Sequence, residues 1–417
     1  MRKSPTLTIS RIKETDNMAP IAERVKVFFL VCGLVLFIPL GIVAKQSMAT
    51  TFILVASVLI VTTFFLSPKK LIPNKSIVYG FSVFCLYACI IHFVTVECIP
   101  CKSLLLTKIS MLGLVLWVTS LDLSRLDCFP QSKISWTLNI SLFVASIFLI
   151  IEFLNDALLY RWLSDRINDP EVALSRYNRV TSALVLFVWP VSYWAYQRGN
   201  KVVAISLIIV TFCAALLSHS NSALVVSVLV PIIAILGYFL PTFVFWSGFF
   251  SLSIFALSSP FIFVSLLNWI KPFSNSIPPS TLDRIEIWHR SAVAVFEAPW
   301  FGYGIGITRY LPLQQELTEK YKYHVTPTTH PHNAAIQLWL ELGVIGLSIF
   351  LLLLCFAVQP LKRVPSSCLG IALAVAVGVI FTSLVSFGFW QETWLGIIGL
   401  VVICFKVVIQ YSNKKYS

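Results

Sequence analysis

Charged residues are scarce in this sequence. Asp, Glu, Lys and Arg together make up 12% of its 417 residues, whereas a soluble globular protein carries about 25%. Hydrophobic residues make up 58%, and runs of roughly 20 apolar residues, each long enough to cross a bilayer, recur along almost the whole length. No stretch remains that would form a sizeable soluble domain. The composition therefore predicts one integral membrane domain.

Acidic residues, cleavage signals and paired cysteines are also few. The 18 acidic residues stand against 31 basic ones, and in a membrane protein this excess indicates topology rather than a nucleic-acid partner. Residues 1–23 are polar and no small-residue cleavage pattern follows the first apolar run, so we predict no cleavable signal. Most of the ten cysteines lie in apolar runs. The close pair Cys98-Ile-Pro-Cys101 is a candidate strained disulfide, and no further metal ligands lie near it.

Twelve apolar runs predict an all-α polytopic membrane protein with about twelve transmembrane helices. They cover residues 24–44, 49–67, 77–97, 103–121, 134–154, 180–197, 202–218, 222–239, 242–268, 334–357, 367–387 and 393–410. The predicted division is a tail at 1–23, nine spans within 24–270, a large loop at 271–331, three spans within 332–410 and a tail at 411–417.

Basic residues divide unevenly between the two sides of this arrangement. With the N-terminus inside, the short outer connections hold only Lys45 and Lys102. The inner side receives Arg2, Lys3, Arg11, Lys13, Arg24, Lys26, Lys69, Lys70, Lys75, Arg125, Lys133, Arg198, Lys201, Lys362, Arg363, Lys414 and Lys415. The positive-inside rule therefore places both termini in the cytoplasm.

Two predicted outer segments, 155–179 and 271–331, are long, and long loops on a rigid helical scaffold often carry binding and catalysis. The second is predicted to be partly helical. Ser280-Thr281-Leu282-Asp283 resembles a capping box, and apolar residues then follow at helical spacing from Leu282 to Ala298, before a proline. Lys108 and Glu152, near predicted span ends, are expected at the membrane interface.

Histidines and arginines concentrate in the second loop. Four of the six histidines lie there (His289, His324, His330 and His332), together with Arg284, Arg290 and Arg309. The two loops are close to neutral overall, because acidic residues offset most of their basic ones. Individual arginines, rather than a diffuse positive field, are therefore the candidates for chemistry.

The motif His330-Pro331-His332-Asn333 stands where the second loop enters a span. A neutral imidazole at such a place can accept a proton from a sugar hydroxyl, which is typically worth about 10²- to 10⁴-fold in rate. Glu341 lies about two and a half helical turns deeper, where an ionisable group is expensive unless it is paired or functional. Gly343 and Gly346 allow close approach of another element.

These residues resemble the O-antigen ligase family, within the superfamily of bacterial surface-polysaccharide ligases and polymerases. His332-Asn333, followed by nine residues and Gly343-x-x-Gly346, is similar to the family's histidine signature. The stretches 283–288 (Asp-Arg-Ile-Glu-Ile-Trp) and 298–306 (Ala-Pro-Trp-Phe-Gly-Tyr-Gly-Ile-Gly) resemble its Arg…Trp…Pro-x-x-Gly-x-Gly-x-Gly region. Arg179 resembles the arginine that opens the sixth span, although many ligases have leucine four residues later and here position 183 is alanine.

The resemblance implies transfer of an undecaprenyl-diphosphate-linked O-polysaccharide to a hydroxyl of the lipid A–core oligosaccharide. It places the site at the periplasmic face of the bacterial inner membrane and implies inversion at the anomeric carbon, with no metal or cofactor. Guanidinium groups can stabilise a diphosphate leaving group without a metal. We therefore expect Arg179 and Arg284 to clamp the diphosphate and His332 to activate or orient the acceptor. Further substrate-binding candidates are His330, Arg290, Asn333, Trp288 and Arg176.

Other interpretations of these residues and of the chain stay open. The alternative interpretation of Arg179 is a side chain that snorkels at a span end. For Arg284 it is an exposed ion-pair partner of Asp283, and for His330 a loop-surface residue. Alternative functions are an O-antigen polymerase, an oligosaccharyltransferase acting on protein, and a lipid-glycan flippase or transporter. Few mid-span charges and no repeat argue against a transporter. The acid-free first outer loop argues against a metal-dependent glycosyltransferase.

Overall fold

The structure is a computed structural model that describes residues 6–44, 46–68, 73–95, 99–121, 123, 130–163, 169–311, 321–324, 328–359, 361, 364 and 366–413. Within these ranges all regular structure is helical. The helices are α1 (Thr6–Val43), α2 (Ser47–Leu66), α3 (Lys75–Thr95), α4 (Ile99–Ser120), α5 (Gln131–Leu154), α6 (Leu158–Leu163), α7 (Pro170–Arg176), α8 (Asn178–Gln197), α9 (Lys201–Leu217), α10 (Asn221–Phe239), α11 (Pro241–Ile270), α12 (Pro279–Glu297), α13 (Ala334–Ala357), α14 (Ser366–Val385) and α15 (Glu392–Asn413). Short 3-10 helices occupy Lys271–Ser276 and Ile307–Tyr310.

Nine segments among the described residues are long and apolar enough to cross a membrane, and Leu105–Ser120 and Lys201–Leu217 form shorter apolar helices. The nine are Pro20–Val43, Ser47–Leu66, Lys75–Thr95, Gln131–Leu154, Asn221–Phe239, Pro241–Ser276, Ala334–Ala357, Cys368–Val385 and Glu392–Tyr411. All twelve predicted runs overlap a helix. The chain is therefore an all-helical, multi-pass membrane protein. The sequence-based number is larger because it also included α4, α8 and α9.

Helix α8 lies in the interior of the bundle. Each residue from Val180 to Ala195 is buried, and α1, α5, α9, α10, α14 and α15 pack around it. A helix that is apolar on all sides is stable when other helices cover it completely. The peripheral helices instead expose large apolar side chains, including Leu106 and Val202, as expected where a surface faces lipid. Arg179, in the first turn of α8, is thereby held at one end of a rigid central element.

The segment between α5 and α8 is held by a buried carboxylate. Glu152, two residues before the end of α5, is only 3% exposed. Its carboxylate accepts the backbone N–H groups of Leu159 (3.1 Å) and Tyr160 (3.2 Å) and the hydroxyl of Tyr177 (2.7 Å). A buried carboxylate is tolerated when hydrogen bonds satisfy it in this way. The contact fixes Tyr177, two residues before Arg179.

The region between α11 and α13 is partly helical, as predicted. Helix α12 packs against both α11 and α13. The predicted capping box at Ser280 is wrong, because α12 already begins at Pro279 and no side chain caps it. Proline suits the first helical turn, where its missing N–H removes no helical hydrogen bond and its φ is already helical. The Cys98–Cys101 pair lies outside the part of the chain whose side chains are described.

Candidate active site

Helix α13 is interrupted at Gly343, whose φ of 66° and ψ of −179° are not helical. An interruption leaves backbone groups without helical partners, which costs several kcal/mol per group inside a bilayer unless another element satisfies them. The loop at 298–306 does so through backbone hydrogen bonds. These are Tyr303 N to Leu340 O (2.9 Å), Gly304 N to Glu341 O (2.8 Å) and Val344 N to Pro299 O (2.9 Å). The two glycine-rich motifs thus form one interlocked unit.

Glycine is required on both sides of this contact. A Cβ atom on Gly343 would lie 2.1 Å from the Trp300 carbonyl oxygen, and one on Gly302 would lie 2.7 Å from the Gly343 nitrogen. Both glycines also have positive φ, a conformation that residues with a Cβ rarely adopt. Gly346 is similarly close to Tyr87, whose ring carbon a Cβ would approach to 2.7 Å. The predicted close approach at Gly343 and Gly346 is therefore present.

The loop that carries His332 is held in a defined conformation. His332 has a φ of 57°, which is uncommon for a residue other than glycine and often marks a functional position. The indole N–H of Trp288 donates to the Pro331 carbonyl at 2.8 Å. The Asn333 side chain accepts the N–H groups of Ala335 and Ile336 and so caps α13. Trp288 and Asn333 therefore fix His332 from either side.

The turn between α14 and α15 closes the other side of the histidine loop. Its Phe389 N–H donates to the Gln337 side chain at 2.8 Å, and the Trp390 indole donates to Glu341 at 2.6 Å. Gln337 also donates to the second carboxylate oxygen of Glu341 at 3.0 Å. Glu341 is fully buried. It therefore ties α13 to this turn and positions the turn's carbonyl groups.

Two predicted site residues bind neighbouring carbonyls of that turn. Arg284 Nη1 donates to the Val385 carbonyl at 2.8 Å, and His332 Nδ1 lies 2.8 Å from the Ser386 carbonyl. Because a carbonyl only accepts, His332 Nδ1 must carry a hydrogen, and the neutral ring then presents an unprotonated Nε2. The structure thus brings Arg284 and His332 side by side.

Arg179 is the third predicted residue at this place. Its charge acts on both His330 and His332, although it lies more than a hundred residues earlier in the chain. Among the described residues, no carboxylate pairs with the Arg179 guanidinium and no hydrogen bond holds it.

The second arginine, Arg284, is also partly buried. Burial is the main cause of its lowered pKa, and the charge of Asp283 partly offsets this effect. Two partly buried guanidinium groups are thus near the histidines, with most of their donors available.

Both histidines are neutral at physiological pH. Burial, together with smaller effects of His332, Arg179, Lys108 and Arg284, lowers the pKa of His330 to about 3. Burial is also the main cause of the lowered pKa of His332. The hydrogen bond to the Ser386 carbonyl raises this pKa, and the charges of Arg284 and Arg179 lower it. Desolvation and nearby positive charge both disfavour a charged imidazole. His332 Nε2 is therefore able to accept a proton.

His330 lies against His332, with ring centroids 4.2 Å apart. Its Nδ1 is 2.7 Å from the Thr329 hydroxyl and its Nε2 is 3.0 Å from the Gln391 amide nitrogen. The amide N–H can only donate, so Nε2 accepts and Nδ1 carries the hydrogen. Both nitrogens thus have protein partners, which fits a positioning role beside His332.

Arg290 is occupied by contacts within the protein. It is 5% exposed, its Nη1 lies 3.1 Å from His324 Nε2, and its Nη2 donates to the Leu311 carbonyl. Burial, together with a smaller effect of the Arg290 charge, lowers the pKa of His324 to about 4, so His324 is a neutral acceptor here. Next to this pair, His289 Nδ1 lies 2.9 Å from the Tyr321 hydroxyl. These side chains hold the loop against α12.

Arg176, the remaining predicted residue, ends α7 and is partly buried. Its positive charge acts on Arg179. It therefore lies on the side of the site formed by the segment between α5 and α8.

Sequence reasoning missed two features of the site. Lys108 of α4, which sequence reasoning gave no role beyond the membrane interface, lies close enough to His330 and Glu341 to affect both. Gln337 and Gln391, each of which binds a site residue, had no motif to mark them. A lysine within an apolar run was the available signal for Lys108, since such a residue is costly in a membrane unless it has a role.

Comparison with known proteins identifies relatives of this chain. The profile of the family described as O-antigen ligase matches residues 205–351. This range contains Arg284, His332 and both halves of the interlocked glycine unit, whereas Arg179 and the turn between α14 and α15 lie outside it. The match therefore covers the central part of the site.

Individual relatives come from Rickettsia. A protein of Rickettsia conorii named "putative polysaccharide ligase" is 30% identical over 139 residues, which cover 32% of this chain and 33% of the relative. A protein of the same name from Rickettsia typhi is 26% identical over 230 residues, covering 52% of this chain and 55% of the relative. The chain thus spans about a third to about half of the length of these relatives.

Proposed function

We propose that this protein is an O-antigen ligase. It carries an O-antigen ligase domain at residues 205–351 and is a distant homologue of polysaccharide ligases. It transfers an undecaprenyl-diphosphate-linked O-polysaccharide to a hydroxyl of the lipid A–core oligosaccharide. The observation that carries this proposal is that Arg284 and His332 bind the successive carbonyls of Val385 and Ser386, and that Arg179 is close enough for its charge to act on His332 as well.

The donor's diphosphate fits the cationic side of the site. Arg284 keeps one nitrogen on the Val385 carbonyl and has further N–H groups available, while Arg179 has no ion-pair partner among the described residues. Guanidinium groups bind phosphate oxygens in bidentate fashion and keep their charge when partly buried. When the anomeric C–O bond breaks, negative charge grows on the diphosphate, and preorganised cations stabilise that charge most in the transition state.

The acceptor hydroxyl approaches the Nε2 edge of His332. As its oxygen forms the new bond to the anomeric carbon, its proton passes to Nε2, and undecaprenyl diphosphate leaves with the electron pair of the broken bond. Attack from the side opposite to the leaving group inverts the configuration. The Ser386 carbonyl, which accepts from Nδ1 at 2.8 Å, supports the positive charge that develops on the ring. Protein groups thus supply both the proton acceptor and the leaving-group clamp.

The site belongs at the periplasmic face of the bacterial inner membrane in this account. Twelve spans, counting the shorter helices and α8, return both termini to the cytoplasm and place the loops at 155–179 and 271–331 outside. The basic residues of the short loops support this orientation. Membrane lipids surround the apolar faces of the peripheral helices.

A gene deletion in the host tests the proposed function directly. Lipopolysaccharide from the deletion strain should show uncapped core, while lipid-linked polymer accumulates. Complementation with the wild-type gene should restore capping, and complementation with His332→Asn should not. Asparagine suits this test because it tolerates positive φ better than most residues, and its amide can still donate to the Ser386 carbonyl.

Other outcomes of the deletion would identify the competing functions. Core capped with single repeats would show a polymerase, and glycan retained on the inner leaflet would show a flippase. Unchanged lipopolysaccharide together with an unglycosylated protein acceptor would show an oligosaccharyltransferase. Any of these three results would contradict the ligase proposal.

A further inference from the structure

Helix α4 brings a lysine into the candidate active site. Lys108 lies nine residues after the start of α4 at Ile99, and Glu341 lies seven residues after the start of α13 at Ala334. At about 1.5 Å of rise per residue, both side chains begin roughly 10 to 14 Å below their helix starts. Lys108 and the buried Glu341 are therefore each about two helical turns or more beyond the start of their helix.

The ammonium group of Lys108 points at the glycine loop of the site. Its Nζ lies 3.0 Å from the position that a Cβ atom on Gly306 would occupy. The charge of Lys108 acts on the Glu341 carboxylate and on His330. The lysine is thus near both the buried carboxylate and the histidine pair.

Glu341 does not use Lys108 to satisfy its oxygen atoms. One oxygen accepts from Gln337 at 3.0 Å, and the other accepts from Trp390 at 2.6 Å. Within the described part of the chain, Lys108 itself forms no ion pair and no hydrogen bond. A partly buried ammonium group without a protein acceptor is costly, and it is well suited to a ligand that brings anionic oxygens.

We propose that Lys108 binds the donor's diphosphate as a third cation, together with Arg179 and Arg284. This inference rests on the proposed function, because it names a further ligand of the same diphosphate. A lysine contributes a compact charge with three donors to phosphate oxygens, whereas the arginines supply fixed bidentate geometry. The three cations come from α4, α8 and α12, so the diphosphate would join three elements that are far apart in the sequence.

Binding of undecaprenyl diphosphate to the purified full-length protein in lipid nanodiscs tests the proposal. We expect Lys108→Met to weaken this binding at least tenfold and Lys108→Arg to weaken it less, with unchanged thermal unfolding midpoints. Lys133→Met, at an exposed position in the first turn of α5, is the matched control and should bind like the wild type. If Lys108→Met does not fold, Lys108→Gln replaces it under the same criterion.

A double variant separates ligand binding from neutralisation of Glu341. If Lys108 only balances that carboxylate, Lys108→Met combined with Glu341→Gln should regain the affinity of Glu341→Gln alone. If Lys108 binds the diphosphate, the double variant should remain at least tenfold weaker than Glu341→Gln. Wild-type affinity in Lys108→Met, or recovery in the double variant, would overturn the proposal.

Transfer measurements separate this inference from the proposed function. With wild-type protein that transfers polysaccharide to lipid A–core, unchanged donor KM in Lys108→Met would reject only the role of Lys108. Absence of ligase activity in the wild type would reject the proposed function itself, whatever the binding measurements show.

Discussion

Arg284 and His332 bind two successive backbone carbonyls of the same turn, those of Val385 and Ser386, each at 2.8 Å. The two side chains come from α12 and from the loop before α13, so the turn between α14 and α15 sets their spacing. That turn is itself held by Gln337 and by the buried Glu341. The relative position of the cation and the proton acceptor is therefore built into the bundle before a substrate arrives.

Replacing Arg284 with lysine should reduce transfer strongly. A lysine has no planar fork that can hold the Val385 carbonyl and a phosphate oxygen together. We expect kcat/KM for the donor to fall by about 100-fold or more, which is typical when one preorganised stabilising group is lost. The same exchange at Arg198, exposed at the end of α8, is the control. Equal activity of the two variants would show that Arg284 does not act on the diphosphate.

Replacing Gly343 with alanine should destabilise the interlocked glycine unit. The new Cβ would lie 2.1 Å from the Trp300 carbonyl, and positive φ adds strain of about 1–3 kcal/mol. We expect a lower thermal unfolding midpoint in detergent and loss of transfer. Gly248→Ala is the matched control, because a Cβ there meets no atom within 4 Å. Similar midpoints for both variants would contradict the tight contact.

Transfer should be insensitive to mild acid. Burial lowers the pKa of His332, so Nε2 is protonated only below the ordinary histidine value of about 6.5. The acid limb of the pH profile of kcat/KM for the donor, which reports the free enzyme, should therefore lie below about 6.5. Rates measured at donor concentrations well below KM, on protein shown to stay folded at each pH, provide the test. An acid limb at higher pH would mean that the proton acceptor is not the buried His332.

Replacing Glu286 with glutamine should loosen the loop that packs on α12. The Glu286 carboxylate accepts the backbone N–H groups of Lys322, Tyr323 and His324, each at 2.8 Å. Loss of a hydrogen-bonded charge at a buried position costs about 1.5–3 kcal/mol. We expect a lower unfolding midpoint, whereas Glu171→Gln, at an exposed position in α7, should leave it unchanged. An unaltered midpoint in Glu286→Gln would show that this contact is not stabilising.

The apolar runs predicted the helices well because length and composition alone decide whether a segment can cross a bilayer. The motifs likewise pointed to His332, Arg284 and Arg179, which the structure brings near one another although 153 residues separate positions 179 and 332. Their catalytic roles stay a prediction. The capping box failed for a local reason, since proline at the preceding position already starts α12.

The remaining features depend on contacts between distant segments. The motif Gly343-x-x-Gly346 predicted close approach, but a sequence gives no sign that the approaching element is a loop inserted into a broken helix. Lys108 was placed at the interface because its own run resembles an ordinary span end. Trp288 and Asn333 were expected to bind substrate, and the structure shows them holding the Pro331 carbonyl and the start of α13. Only the packing reveals such partners.

Single-turnover transfer by the purified protein in nanodiscs is the most direct test of the central claim. The account predicts that His332→Asn binds undecaprenyl diphosphate like the wild type but transfers polysaccharide to lipid A–core at least about 100-fold more slowly, within the range for loss of a proton acceptor. A transfer rate within a few-fold of the wild type would contradict the assignment of His332 as the group that accepts the acceptor's proton.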